Sequence, residues 1–107
     1  MEPIPREIVE YLEEEGGNPF RKWTSGLRDG KGRGVIRNRI NRLVTGNFGD
    51  CGPVGQGVHE LVIDFGPGYR VYFGEDGTKV VLLGGGDKST QSADITRAKQ
   101  RWSDYNA

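Results

Sequence analysis

A chain of 107 residues is enough for one domain, and at this size roughly two thirds of the unfolded surface can be buried without disulfide or metal staples. The single Cys51 excludes an internal disulfide, and with one histidine, His59, the composition predicts no metal and no cofactor. Net charge is zero, which argues against a general nucleic-acid binder, but it is a sum of opposed blocks: −5 over residues 1–17, +7 over 18–47, −4 over 48–87 and +2 over 88–107. The basic blocks can gather on one side of a folded domain and attract phosphates. Apolar runs such as Val80 to Leu83 are too short to span a bilayer. The chain also starts with acids and prolines where a signal peptide needs basic and apolar residues, so a cytoplasmic protein with no membrane partner is expected.

Residues 6–13 fit two patterns. Ile8, Tyr11 and Leu12 have helical spacing, which local physics slightly prefers, while Ile8, Glu10 and Leu12 also alternate with Val9 and Tyr11 as in a strand. After Gly16-Gly17, Asn18 is a good N-cap and Pro19 suits a first helical position, followed by Phe20, Trp23 and Leu27 on one face. A second helix begins at Asp29 or Gly30, gathers Ile36, Ile40, Leu43 and Val44, and ends near Gly46. Its other faces carry Arg33, Arg37, Arg39 and Arg42, and Gly32 and Gly34 each cost it about 1 kcal/mol relative to alanine, so its first turn is expected to fray. Residues 47–57, rich in glycine, read as a loop.

The central stretch is a hairpin. Leu61, Ile63 and Phe65 alternate with Glu60, Val62 and Asp64, Gly66-Pro67-Gly68 turns the chain, and Tyr69, Val71 and Phe73 return on the core face. A short loop pairs Phe65 with Tyr69, Ile63 with Val71 and Leu61 with Phe73. The other face then sets Asp64 opposite Arg70 and Val62 opposite Tyr72, on an uncovered surface. Glu75-Asp76-Gly77 reads as a second turn and Lys79 to Leu83 as a third strand. Gly84-Gly85-Gly86 is open enough to approach a ligand, and the final helix places Ile95, Ala98, Trp102 and Tyr105 on one apolar face, with Arg97 and Arg101 elsewhere.

The segments NPFRKW, GNFGD, GPGYRVYF, GGGDKSTQ and DITRAKQRW, in this order and spacing, resemble the HigB-like branch of the RelE/ParE superfamily of toxin–antitoxin killer proteins, from about residue 6 to 105. The resemblance implies one α+β domain over residues 1–107, ordered β-α-α-β-β-β-α: a curved antiparallel meander joined by an N-terminal strand, a two-helix hairpin and a C-terminal helix. It therefore makes residues 6–13 a strand. It also implies a metal-independent endoribonuclease that cuts messenger RNA in the ribosomal A site and is neutralised by a cognate helix-turn-helix antitoxin.

Metal-free RNA cleavage needs the 2′-OH deprotonated, the phosphorane charge stabilised and the leaving oxygen protonated. By resemblance Arg70 and Lys88 are the phosphate clamps, a role that suits an always-charged forked guanidinium. Glu60 and Tyr72 share the Arg70 face, as a base and as a stacking or hydrogen-bonding ring; the alternative for each is a paired surface acid and an ordinary strand aromatic. Arg37, Arg39, Arg42 and Arg97 are candidate RNA contacts. His59 falls with the core-facing set and Asp87 reads as a helix cap. Val62 stands where relatives often carry a basic residue. Two other activities share the implied fold: a ParE-type gyrase inhibitor, and a non-catalytic antitoxin-binding module.

Overall fold

The computed structural model describes residues 4–107 of the chain; the first three residues of the expected 1–107 domain lie outside the described residues. The architecture is α+β. In chain order the elements are β1 (Glu7–Glu10), α1 (Pro19–Gly26), α2 (Gly30–Val44), β2 (Cys51–Gly55), β3 (Val58–Ile63), β4 (Tyr69–Asp76), β5 (Lys79–Asp87), a 3₁₀ turn (Lys88–Thr90) and α3 (Gln91–Tyr105). The five strands form one mixed sheet in the order β1-β5-β4-β3-β2, with β1 parallel to β5 and the other pairs antiparallel. Among the described residues no helix is long and apolar enough to cross a membrane.

The expected order lacks one strand. Residues 51–55, expected within a loop, pair as β2 with β3 despite their glycines and Pro53, because they form a sheet edge interrupted by an irregularity between Pro53 and Gly55. The third meander strand runs on through the three glycines to Asp87, and Asp76 pairs with Lys79, so the turn itself is Gly77-Thr78.

Both helices of the hairpin start where their caps dictate. Asn18 Oδ1 accepts from the Arg21 N–H at 3.0 Å, and Asp29 Oδ1 accepts from the Gly32 N–H at 2.9 Å. Asp29 Oδ2 also accepts from the Tyr69 hydroxyl at 2.8 Å, which ties the head of α2 to β4. Gly32 does not loosen this turn. It is buried, and a Cβ there would lie 2.8 Å from the Tyr69 ring, so glycine permits the close approach.

The β3–β4 register differs from expectation by two residues: Ile63 faces Tyr69, Val62 faces Arg70, Leu61 faces Val71, Glu60 faces Tyr72 and His59 faces Phe73. The cause is a wider turn. Gly68 N–H donates to Phe65 C=O at 3.0 Å, closing a β-turn around Gly66-Pro67, and Phe65 N–H donates to Ile63 C=O at 2.9 Å, a tighter turn that takes Asp64 out of the ladder. Gly66 and Gly68 have φ of 56° and 82°. A two-residue slip keeps every side chain on its expected face.

Two cores flank the sheet. On one side Ile36, Leu43, Leu61, Ile63, Val71, Phe73, Val80 and Leu82 pack under α1 and α2; on the other Tyr11, Val58, Tyr72, Val81, Leu83 and Ala98 pack under α3. The face that carries Arg70 is therefore covered, contrary to expectation. Trp23 of α1 lies so close over Gly85 that a Cβ would come within 2.3 Å of its ring and 2.8 Å of the Arg70 carbonyl. Gly85→Ala is expected to cost about 1–3 kcal/mol. Gly34 has open space around its Cβ position, so Gly34→Ala should stabilise α2 by up to ~1 kcal/mol. Urea denaturation midpoints check both signs.

Candidate functional site

The turn after β5 and the first turn of α3 fold over β3 and β4, bringing Glu60, Arg70, Lys88 and Gln91 into one neighbourhood. Arg70 and Glu60 project from the α3 side of the sheet, with side chains 13% and 11% exposed, and Arg70 Nε lies 3.0 Å from Glu60 Oε1. The Arg70 N–H is not aimed at that oxygen well enough for an aligned hydrogen bond, so the contact is an ion pair. The second carboxylate oxygen, Oε2, accepts from Gln91 Nε2 at 2.8 Å. Glu60 thus replaces Asp64, which lies exposed in the hairpin loop, as the partner of Arg70.

Arg70 Nη1 donates to the Tyr69 carbonyl at 3.2 Å. No acceptor among the described residues takes up Nη2. Gly68 sits between the two expected cations: a Cβ there would be 3.4 Å from Arg70 Nη1 and 3.6 Å from Lys88 Cβ. Lys88 is exposed on the 3₁₀ turn, which Asp87 caps by accepting from the Ser89 N–H at 2.8 Å. The result is a small corner beside the hairpin tip where two cationic side chains stand with the Glu60 and Asp87 carboxylates.

Tyr72 is not available for stacking. Its ring has no accessible surface, and its hydroxyl is buried with no hydrogen-bond partner. Burial, with the Glu60 and Asp94 carboxylates nearby, pushes the phenol well above the ordinary tyrosine range. It therefore stays protonated. His59 is half-buried and stacks on Phe73 with ring centroids 5.6 Å apart, in a structural setting.

The four expected RNA-contacting arginines separate. Arg37 and Arg42 are exposed on α2. Arg97 on α3 is 60% exposed and pairs with Asp94 at 3.3 Å. Arg39 is committed elsewhere: Nη1 donates to the Val62 carbonyl at 2.6 Å and Nη2 to the Phe48 and Asp50 carbonyls at 3.4 and 3.2 Å. Burial lowers its affinity for its proton, and Arg42 adds to that effect. The arginine clips the segment before β2 to the end of β3. Among the described residues no group of three His, Cys, Asp or Glu side chains is arranged to hold a metal ion.

The chain is 51% identical to an uncharacterized protein of Haemophilus influenzae over 81 residues, covering 75% of this chain and 82% of that protein. The chain belongs to that protein's family. No protein-family model matches the sequence, and no solved structure does. For this family member the functional reading therefore rests on the corner itself.

Sequence reasoning missed Gln91. As the first residue of a helix, its type is compatible with ordinary solvated surface, and only the fold shows that it reaches Glu60 across 31 positions of sequence. Arg39→Ala should remove about 2 kcal/mol of stability by stranding carbonyls that a charged donor satisfies. Arg37→Ala should stay within about 0.5 kcal/mol of wild type. Thermal unfolding of the two variants separates the structural arginine from the free one.

Proposed function

We propose that the chain is the toxin of a type II toxin–antitoxin pair, a metal-independent endoribonuclease of the HigB-like RelE/ParE kind that acts in the cytoplasm on messenger RNA in the ribosomal A site. The observation that carries the reading is the corner where Arg70, through Nη1, and exposed Lys88 flank Gly68, with Arg70 Nη2 lacking an acceptor among the described residues. Three of the segments that resemble the killer proteins meet there: GPGYRVYF forms the tip and β4, GGGDKSTQ forms the end of β5 and the 3₁₀ turn, and DITRAKQRW forms the helix that covers them.

A phosphodiester entering this corner meets a guanidinium and an ammonium. In-line attack by a ribose 2′-OH puts extra negative charge on the equatorial phosphate oxygens, and donors fixed before the reaction stabilise that charge without reorganising. Arg70 suits the task because its Nε and Nη1 are already held, leaving Nη2 directed by a rigid guanidinium plane. Lys88 supplies a second, mobile ammonium. Glu60 serves as the counterion that lets Arg70 sit between sheet and helix, since both of its oxygens are engaged. Arg37 and Arg42 contribute longer-range attraction to ribosomal RNA, and a helix-turn-helix antitoxin is the neutralising partner.

Induced expression of the wild-type chain without an antitoxin should stop bacterial growth within a few generations, with protein synthesis failing before any DNA-damage response. Arg70→Ala and Lys88→Ala should each relieve the arrest. Normal growth with wild-type protein present would contradict the reading, and a DNA-damage response with intact transcripts would replace it by gyrase inhibition.

A further inference from the structure

Arg70 and Glu60 meet through one nitrogen and one oxygen, although the pair has the parts for a two-pronged fork. Arginine and a carboxylate commonly close such a fork, through Nε and Nη2 on one side and both oxygens on the other. Here the second oxygen is held toward the helix, which sets the turn of the carboxylate. Gln91 Nε2 donates to Glu60 Oε2 at 2.8 Å, while Oε1 alone lies against Arg70 Nε at 3.0 Å.

Gln91 holds this place through the chain that precedes it. Asp87 caps the 3₁₀ turn of residues 88–90, and α3 starts directly after it, so Lys88 and Gln91 lie three positions apart on one short junction. The same junction therefore presents one cation and restrains the counterion of the other. We infer that Gln91 is a positioning residue: by holding Glu60 Oε2 toward α3 it keeps the carboxylate from turning to close a two-pronged fork on Arg70, and so keeps Arg70 Nη2 free for a phosphate oxygen. The inference rests on the reading of Arg70 and Lys88 as a phosphate-holding pair.

Without the Gln91 donor, Glu60 Oε2 is a nearly buried anionic oxygen lacking a partner, and the closest remedy is to turn onto Arg70 Nη2. The guanidinium then becomes better paired internally and poorer at holding phosphate. This differs from ordinary destabilisation in one respect: neutralising Glu60 should reverse it, because an amide does not compete with phosphate for a guanidinium as a carboxylate does.

The test is a titration of the full-length protein with inorganic phosphate, followed through the Arg70 side-chain NMR resonances. Wild type is compared with Gln91→Met, which keeps side-chain length without the donor, with Gln91→Ala, and with the double variant Gln91→Met/Glu60→Gln. Phosphate should shift the Arg70 resonances in wild type, bind about tenfold more weakly to both single variants, as expected for loss of one charge-assisted hydrogen bond, and regain near-wild-type binding in the double variant. Equal phosphate binding by wild type and the folded single variants overturns the inference, as does failure of the double variant to recover, or Arg70 resonances in wild type that ignore phosphate. Binding is read here without cleavage, so a chain that binds phosphate in this pattern but cuts no RNA sinks the proposed nuclease and leaves the positioning role standing.

Discussion

A charge placed between two packed layers governs how this structure is arranged. Arg70 leaves β4 on the side that α3 covers, where most neighbours are apolar, and an uncompensated guanidinium there would be strongly destabilising. Glu60 answers it from the neighbouring strand, Gln91 answers Glu60 from the helix, and the Tyr69 carbonyl holds one end of the guanidinium. These contacts join β3, β4 and α3 at one point. They also leave Arg70 Nη2 without an acceptor among the described residues, while Nη1 lies by Gly68 next to the turn that exposes Lys88.

Much of this was legible in the chain. The Asn18 cap, the start of the second helix at Asp29 or Gly30, the apolar face of the last helix and the alternation of the hairpin strands all appear as read, because each depends on residues within one or two turns of one another. The hairpin register was harder. Gly66-Pro67-Gly68 announces a turn but not its width, and the hydrogen bonds that withdraw Asp64 from the ladder move the partner of Arg70 from Asp64 to Glu60. The faces survived the slip; the ion pair did not.

Two further features needed the assembled sheet. Ile95, Ala98, Trp102 and Tyr105 require an apolar surface to cover, and the open face of the meander was there to supply it, so the burial of Tyr72 follows from joining two local patterns. The glycines of β5 look in sequence like a ligand cradle. In the fold their space is filled from within: Trp23 crosses Gly85 and the Asp94 carboxylate lies over Gly86. Arg39 shows the same limit, since an arginine on a basic helix reads as surface until the carbonyls it clips are folded against it.

The most direct test of the account is transcript 5′-end mapping in a translating extract, comparing wild type with Arg70→Ala at equal concentration and with translation blocked as a control. The account predicts new ends inside codons with wild type only while ribosomes are moving, and their loss with Arg70→Ala. Cutting that persists unchanged in Arg70→Ala would remove the corner from the chemistry, and the absence of any wild-type cutting would contradict the nuclease itself.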